Sequence, residues 1–357
     1  MQRWSLCMIV RDEEEVLERC LKSAAELFDD IVIVDTGSVD ATRSIALRFT
    51  ERVYDLEWCD DFAAARNYAF GKAEGDYIMW LDADDVLPEK TRAILSDVKA
   101  AGLRSDVVML PYETGFDERG RTVFSYRRER IIKNCDRCRW IGAVHEVIVP
   151  FGEIEYIDAP VRHMKQKRGG DGRNLRIYEK LIADGARLDA RQLYYYGREL
   201  AAHGRYGEAE KVFSEVTERE DTWIENRLDA ACRLAECRKR LGKDPMGALL
   251  SAMRYRAPSA ELCCAVGREF YDRGELVSAE FWYTCALNAV MPGEGAFVSE
   301  EYRGFMPCIM LCLICYGLGD VKKSFLYNEA AARFSPDSPY CIENRRFFRE
   351  KHGLGAE

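Results

Sequence analysis

Apolar and polar positions follow two different rhythms along the chain. Up to about residue 105, short and wholly apolar runs are separated by segments whose apolar residues recur every three or four positions. The runs Ser5–Val10, Ile31–Val34 and Tyr77–Leu81, with a shorter one at Val53 and Tyr54, have the length and continuity of strands buried on both faces. Between them, Val16, Leu17, Cys20, Leu21 and Leu27 mark one helix face, and Ile45 and Phe49 a second. Phe62–Lys72 and Glu89–Ala100 read as two further helices. Strands alternating with helices in this order predict an α/β domain with a mostly parallel, doubly wound sheet. From Val107 to about His163 short β segments replace the alternation, with turns at 118–120 and 151–152.

From Asn174 onward helix follows helix. Gly204 with Ala209, Gly274 with Ala279 and Gly319 with Ser324 repeat a glycine followed five positions later by a small residue. Gly242 to Ala248 is a looser copy with one insertion. The intervals between these glycines, 38, 32 and 45, bracket the period of about 34 of a tetratricopeptide repeat. In that repeat the glycine closes the first helix of a pair and the small residue lets the second pack closely. The pattern predicts an all-α, tetratricopeptide-like repeat domain over residues 174–357, with an irregular helical bundle as the alternative. The α/β domain is expected over residues 1–168, with the junction at Gly169-Gly170-Asp171-Gly172. Stacked helical pairs form a concave surface suited to a peptide, another protein or a second copy of the chain. Tyr194, Tyr195, Tyr196 and Trp282 either line that surface or fill the repeat core.

Composition narrows the class. The length of 357 residues suits two domains, and 48% hydrophobic residues support substantial cores. A net charge of −9 argues against an extended nucleic-acid surface. Met1–Val10 is too short for a signal peptide and runs into Arg11-Asp12-Glu13-Glu14-Glu15. The apolar stretch Phe305–Leu318 is too short to span a bilayer, so a cytoplasmic protein is expected. Its 14 cysteines are expected to be reduced. Cys135 and Cys138 have metal-like spacing but lack a second pair, while Cys308, Cys312 and Cys315 read as buried thiols on one helix.

The most informative segment is Gly75-Asp76-Tyr77-Ile78-Met79-Trp80-Leu81-Asp82-Ala83-Asp84-Asp85, where an apolar run breaks into three carboxylates. Parallel sheets bind ligands outside their strand carboxyl ends. In extended backbone Asp82 and Asp84 would project to one side. Packed acids repel unless a cation or a ligand's donors compensate them, and Mg²⁺ commonly shares its shell with phosphates. Capping of a helix starting near Pro88 would need only one of the three.

Three more segments join this one: Val10-Arg11-Asp12-Glu13-Glu14, Asp35-Thr36-Gly37-Ser38-Val39-Asp40-Ala41-Thr42, and Phe62-Ala63-Ala64-Ala65-Arg66-Asn67-Tyr68-Ala69. In this order and spacing the four closely resemble the nucleotide-sugar half of the family 2 glycosyltransferases, of GT-A fold, over roughly residues 4–165. Trp58 before the arginine-bearing helix and the trailing repeats resemble the subgroup that includes bacteriocin peptide glycosyltransferases. Relatives without the repeats act on lipopolysaccharide core sugars.

The resemblance implies inverting, metal-dependent transfer from a nucleotide sugar, with a UDP-hexose favoured, to a peptide, protein or cell-surface glycan. Mg²⁺ or Mn²⁺ would be the cofactor. Donor binding falls to Arg11, Glu13, Asp35, Arg66 and Asp82. Asp35 would accept from a uracil imide nitrogen, or else shape the turn; Arg66 would donate as a planar fork, or else be an exposed helix charge. Asp82 would hold the ribose hydroxyls and Asp84 the metal, with Asp85 behind it. His163 is expected as a further metal ligand or as a structural histidine. In Trp140-Ile141-Gly142-Ala143-Val144-His145-Glu146, Glu146 is the expected base, with His145 as neighbour or substitute where the family carries a Glu-Asp pair. Lys165, Lys167 and Arg168 form a basic loop able to close over the diphosphate. Two other classes fit the chain less well. An interaction protein with a decayed catalytic half would not be expected to keep these acids and Arg66. A nucleotidyltransferase would open with a glycine-rich loop, and Arg11–Glu15 has no glycine.

Overall fold

The computed structural model describes residues 2–117, 119–164, 172–289 and 298–355. Two compact units emerge, Met1–Arg187 and Leu188–Glu357. Among the described residues no helix is long and apolar enough to cross a membrane.

The first unit opens with β1 (Trp4–Val10), α1 (Leu17–Ala24), β2 (Asp30–Asp35), α2 (Thr42–Ala46), β3 (Val53–Asp55), α3 (Phe62–Phe70) and β4 (Tyr77–Trp80). These four strands are mutually parallel in the order β3-β2-β1-β4. Their uninterrupted apolarity follows from burial on both faces. Leu6, Met8 and Val10 of β1 enter a core with Leu17 and Leu21 of α1, while Cys7 enters another with Ala63, Ala69 and Phe70 of α3. Side chains alternate along a strand, so each face needs its own apolar residues.

The chain continues through β5 (Asp85–Val86), α4 (Glu89–Ala101), β6 (Val107–Phe116), β7 (Thr122–Lys133), β8 (Trp140–Ile141), β9 (Val147–Ile148), β10 (Ile154–Tyr156) and β11 (Val161–His163). The sheet extends as β4-β7-β6-β11-β5, with β7 antiparallel to both neighbours, so it is mixed. The short segments expected here are in fact led by a long hairpin. β6 has 10 residues and β7 has 12, and register shifts at Val108/Met109 and Glu113/Gly115 break the alternation that would have revealed them.

Helix α5 (Arg173–Ala183) falls in the first unit, although its apolar period had assigned it to the second domain. Tyr178 donates to the Val144 carbonyl at 3.4 Å, and Lys180 pairs with Asp60 at 2.8 Å. Periodicity identifies a helix but does not say which core receives its apolar face.

Apart from the two-residue strand Val298–Ser299, the described residues of the second unit are built on helices: α6 (Ala190–Ala202), α7 (Tyr206–Glu218), α8 (Ile224–Arg240), α9 (Met246–Ser251), α10 (Ala260–Asp272), α11 (Leu276–Leu287), α12 (Phe305–Gly317), α13 (Val321–Phe334) and α14 (Pro339–His352). Four pairs form, α6/α7 through α12/α13, and each closes on one of the glycines read from the sequence. Gly204, Gly242, Gly274 and Gly319 have φ of 74, 70, 77 and 86°, where an L side chain is strained. Ala209, Ala248, Ala279 and Ser324 behind them are all buried. Tyr194 also belongs to the core; its hydroxyl donates to Asp229 at 2.6 Å. Cys308, Cys312 and Cys315 are buried along α12.

A second small position lies seven residues before the turn. A Cβ on Gly197 would meet the Phe213 ring at 2.8 Å, and one on Gly267 would meet Tyr283 at 3.0 Å. Overpacking costs about 1–3 kcal/mol, against roughly 1 kcal/mol of helix propensity gained by alanine. Gly197→Ala is therefore expected to lower the urea midpoint, and Gly197→Leu to lower it further; a raised midpoint for both would contradict this packing.

Candidate active site

Strands β1 and β2 end level, Val10 beside Asp35, and the loops that follow are tied together. Asp35 Oδ1 accepts from the N–H groups of Gly37 and Ser38 at 3.1 and 2.8 Å. Gly37 has φ of 102°, which requires glycine. Asp12 N–H donates to Ser38 Oγ at 3.0 Å, and Asp12 Oδ1 accepts from Val39 N–H at 2.8 Å. Glu13 N–H donates to Thr42 Oγ1, Glu14 N–H to Asp40 Oδ2, and Glu14 Oε2 accepts from Ala41 N–H, at 2.7, 3.1 and 2.9 Å. These bonds explain the residue types of Asp35–Thr42. Asp35 does shape its turn, and Glu13 joins the network through its backbone. Arg11 is exposed on the loop after β1, and Val39, on the loop after β2, is 92% exposed.

Strand β4 stops at Trp80, and Asp82–Asp85 closes a turn through Asp85 N–H to the Asp82 carbonyl at 3.0 Å. Asp82 and Asp84 are therefore not paired by strand pleat, and they face different partners. Arg66 bridges two carboxylates: its Nη2 donates to Asp82 Oδ1 at 2.7 Å and its Nε to Glu146 Oε1 at 2.6 Å. Its guanidinium lies 5.0 and 4.8 Å from the Trp80 and Trp140 ring centres. At 8% exposure Arg66 is a buried clamp rather than an exposed helix charge. Burial pushes the Asp82 carboxyl up, but the nearby Arg66 and Arg130 charges outweigh it and bring it down to about 2.

Arg130 went unrecognised in the sequence. It is fully buried on β7; its Nη1 donates to Asp85 Oδ2 at 2.9 Å and to the Trp80 carbonyl at 3.1 Å. Its guanidinium lies 3.7 Å from the Trp80 ring centre and 4.2 Å from that of Tyr112. Asp85, also fully buried, takes Tyr112 Oη on its other oxygen at 2.9 Å. Two of the three acids, Asp82 and Asp85, are thus compensated by internal arginines within the fold. The hint was a charged Glu129-Arg130 running straight into Ile131-Ile132.

Asp84 faces His163 instead. β11 pairs with β5, placing His163 opposite Asp85. His163 Nδ1 lies 3.2 Å from Asp84 Oδ1, 3.3 Å from Asp85 Oδ1 and 2.8 Å from Tyr112 Oη. Burial opposes its charge, but the Asp84 and Asp85 carboxylates raise its pKa to about 10. One ligand atom from each of Asp84, Asp85 and His163 lies within 4.8 Å of the others. Carboxylate oxygens with one imidazole suit Mg²⁺ or Mn²⁺ and leave room in an octahedral shell for phosphate oxygens, so the residues fit such an ion. Asp84 and Asp85 do not cap α4: Pro88 holds that position with no side-chain cap. Lys165, Lys167 and Arg168 lie outside the described residues.

Three non-glycine residues, Asp12, Asp60 and His145, have left-handed backbone among those described, and all lie in loops of this unit. His145 has φ of 53° and its ring stacks on Tyr178 at 6.5 Å, with Glu146 turned toward Arg66.

A mixed sheet with acids gathered beyond its parallel strand ends, extended by an antiparallel hairpin and by the strand β11 that carries His163, is a GT-A-like domain. Residues 5–146 match the sequence profile of Glycosyl transferase family 2. Over 213 residues the chain is 25% identical to the SPbeta prophage-derived glycosyltransferase SunS of Bacillus subtilis, covering 54% of this chain and 48% of that protein. Over 160 residues it is 28% identical to the lipopolysaccharide core biosynthesis glycosyltransferase LpsC of Rhizobium meliloti, covering 42% and 58%. Over 87 residues it is 49% identical to a TPR repeat-containing protein of Synechococcus elongatus, covering 24% and 22%. The matched region thus spans at most 58% of any of these three relatives.

Proposed function

We propose that the chain is an inverting, metal-dependent glycosyltransferase that moves a hexose from a UDP-sugar to a peptide, protein or cell-surface glycan. The observation that carries this reading is the grouping of Asp84, Asp85 and His163 near the end of β4, where Asp82 is held by the Arg66 clamp that also holds Glu146. Asp84 and His163 would hold Mg²⁺ or Mn²⁺, with Asp85 fixed behind them by Arg130. When bound, that cation neutralises the charge of the departing diphosphate. Asp82 accepts the ribose hydroxyls, and Asp35, Arg11 and Glu13 border the nucleobase side. Arg66 orients Asp82 and Glu146 rather than reaching the donor itself. Glu146 takes the proton of the acceptor hydroxyl as that oxygen attacks the anomeric carbon opposite the leaving group, with His145 beside it. The repeat unit would recruit the acceptor, or a second copy of the chain. All 14 cysteines are unbridged, which supports a cytoplasmic setting.

Glu146→Gln tests the base. Glutamine keeps an oxygen to accept from Arg66, so binding of UDP with Mn²⁺ should be unchanged while transfer falls about 10²–10⁴-fold. Retained transfer would remove Glu146 from that role. The internal arginines favour one other reading, an interaction protein whose transferase half no longer turns over, since most of the acids are stable without a cation. Complete absence of UDP-sugar hydrolysis, together with no thermal shift on UDP plus Mn²⁺, would select it.

A further inference from the structure

Helix α5 lies beyond the family-matched residues 5–146, yet it touches both loops that bring Glu146 and Arg66 together. On one side is the loop leading into α3. There Lys180 pairs with Asp60 at 2.8 Å, Asp60 accepts from Trp58 Nε1 at 3.0 Å, and the Arg173 guanidinium lies 4.8 Å from the Phe62 ring centre. On the other side is the loop 142–146. There the Tyr178 ring stacks on His145 with an interplanar angle of 18°, and its hydroxyl reaches the Val144 carbonyl at 3.4 Å. The two loops also join directly, Phe62 N–H donating to the Ala143 carbonyl at 2.9 Å. Asp60 and His145, the two residues α5 grips, both have left-handed backbone, with φ of 62 and 53°. Such conformations persist only where surrounding structure over-determines them.

We infer that Tyr178 is a positioning residue for the transfer step: its ring holds His145 in the left-handed conformation that turns Glu146 toward Arg66. This rests on the proposed role of Glu146. At 3.4 Å the hydroxyl bond is weak, so most of the restraint comes from the buried ring. The helix belongs to the catalytic unit as a strap across its two loops.

The test uses the full-length chain and the variants Tyr178→Ala and Tyr178→Phe. Three quantities are read: kcat for transfer, affinity for UDP with Mn²⁺, and amide hydrogen exchange over residues 141–147. Misplacing a reacting group by about 1 Å costs about 10²-fold in rate. Tyr178→Ala should therefore lower kcat by about that factor while UDP affinity changes less than about threefold. Exchange over 141–147 should quicken by about tenfold or more. Tyr178→Phe keeps the ring and should restore most of the rate and the protection. Wild-type kcat and exchange in a folded Tyr178→Ala variant would overturn the inference. So would a loss of rate matched by equal losses of UDP affinity and thermal stability, which marks a merely structural residue. If the wild-type chain transfers no sugar, the proposed function fails, but exchange in the two variants still decides whether the strap holds the loop.

Discussion

Asp84→Ala is expected to abolish sugar transfer and leave the chain folded. Among the described residues Asp84 is the one of the three clustered acids with no arginine partner; its side chain meets the His163 imidazole, and Asp85 remains beside that ring after substitution. Its side chain is partly exposed, so its removal leaves no buried charge stranded and the melting temperature should move little. Catalysis is a different matter. A cation that stabilises a leaving diphosphate contributes several kcal/mol, so losing a ligand should slow UDP release by about 10³-fold or more. Chelation of divalent metal should reproduce the loss in the wild-type chain, and Mn²⁺ should reverse it. Undiminished turnover in Asp84→Ala would remove the metal role from this aspartate.

Arg130→Met should do the reverse, unfolding the protein more readily before any chemistry is considered. Arg130 and Asp85 are both fully buried and bonded at 2.9 Å. Removing one member of such a pair typically costs about 3–5 kcal/mol, because the surviving charge stays buried without compensation. Methionine fills similar volume between Trp80 and Tyr112, so a cavity contributes little to the loss. The Nε and Nη2 groups of Arg130 meet aromatic faces instead of hydrogen-bond acceptors, and those contacts are lost as well. The double variant Asp85→Asn with Arg130→Met should recover much of the stability, as urea denaturation would show. If Arg130→Met alone costs under about 1 kcal/mol, the pair is not the internal compensation described here.

How far the sequence foretold this site depends on the distance between partners. The apolar runs at Ser5–Val10, Ile31–Val34 and Tyr77–Leu81 announce parallel strands because each must satisfy two cores. The glycines of the repeat half are legible because each performs a local task at a turn. Pairings across long separations are not. Arg66 and Glu146 are 80 positions apart, and Arg130 and Asp85 are 45 apart; nothing in either local context names the other. Asp82 and Asp84 looked like neighbours on a strand because their spacing matched its period, but the strand ends two residues before the first of them. The hairpin of β6 and β7 was obscured by its own register shifts, and α5 by a period that is silent about its partner.

The hydrogen bonds that cross between the loops after β1 and β2 make those two segments one mechanical object. Each supplies side-chain oxygens for the other's amides, so neither can keep its shape beside a foreign companion. On the proposed function, redirecting the chain toward another nucleobase would therefore call for grafting both stretches from a single donor protein. A point change at Arg11 alone would leave the two loops shaped as before, whereas one at Asp35 would lose the oxygen that holds the Gly37 and Ser38 amides.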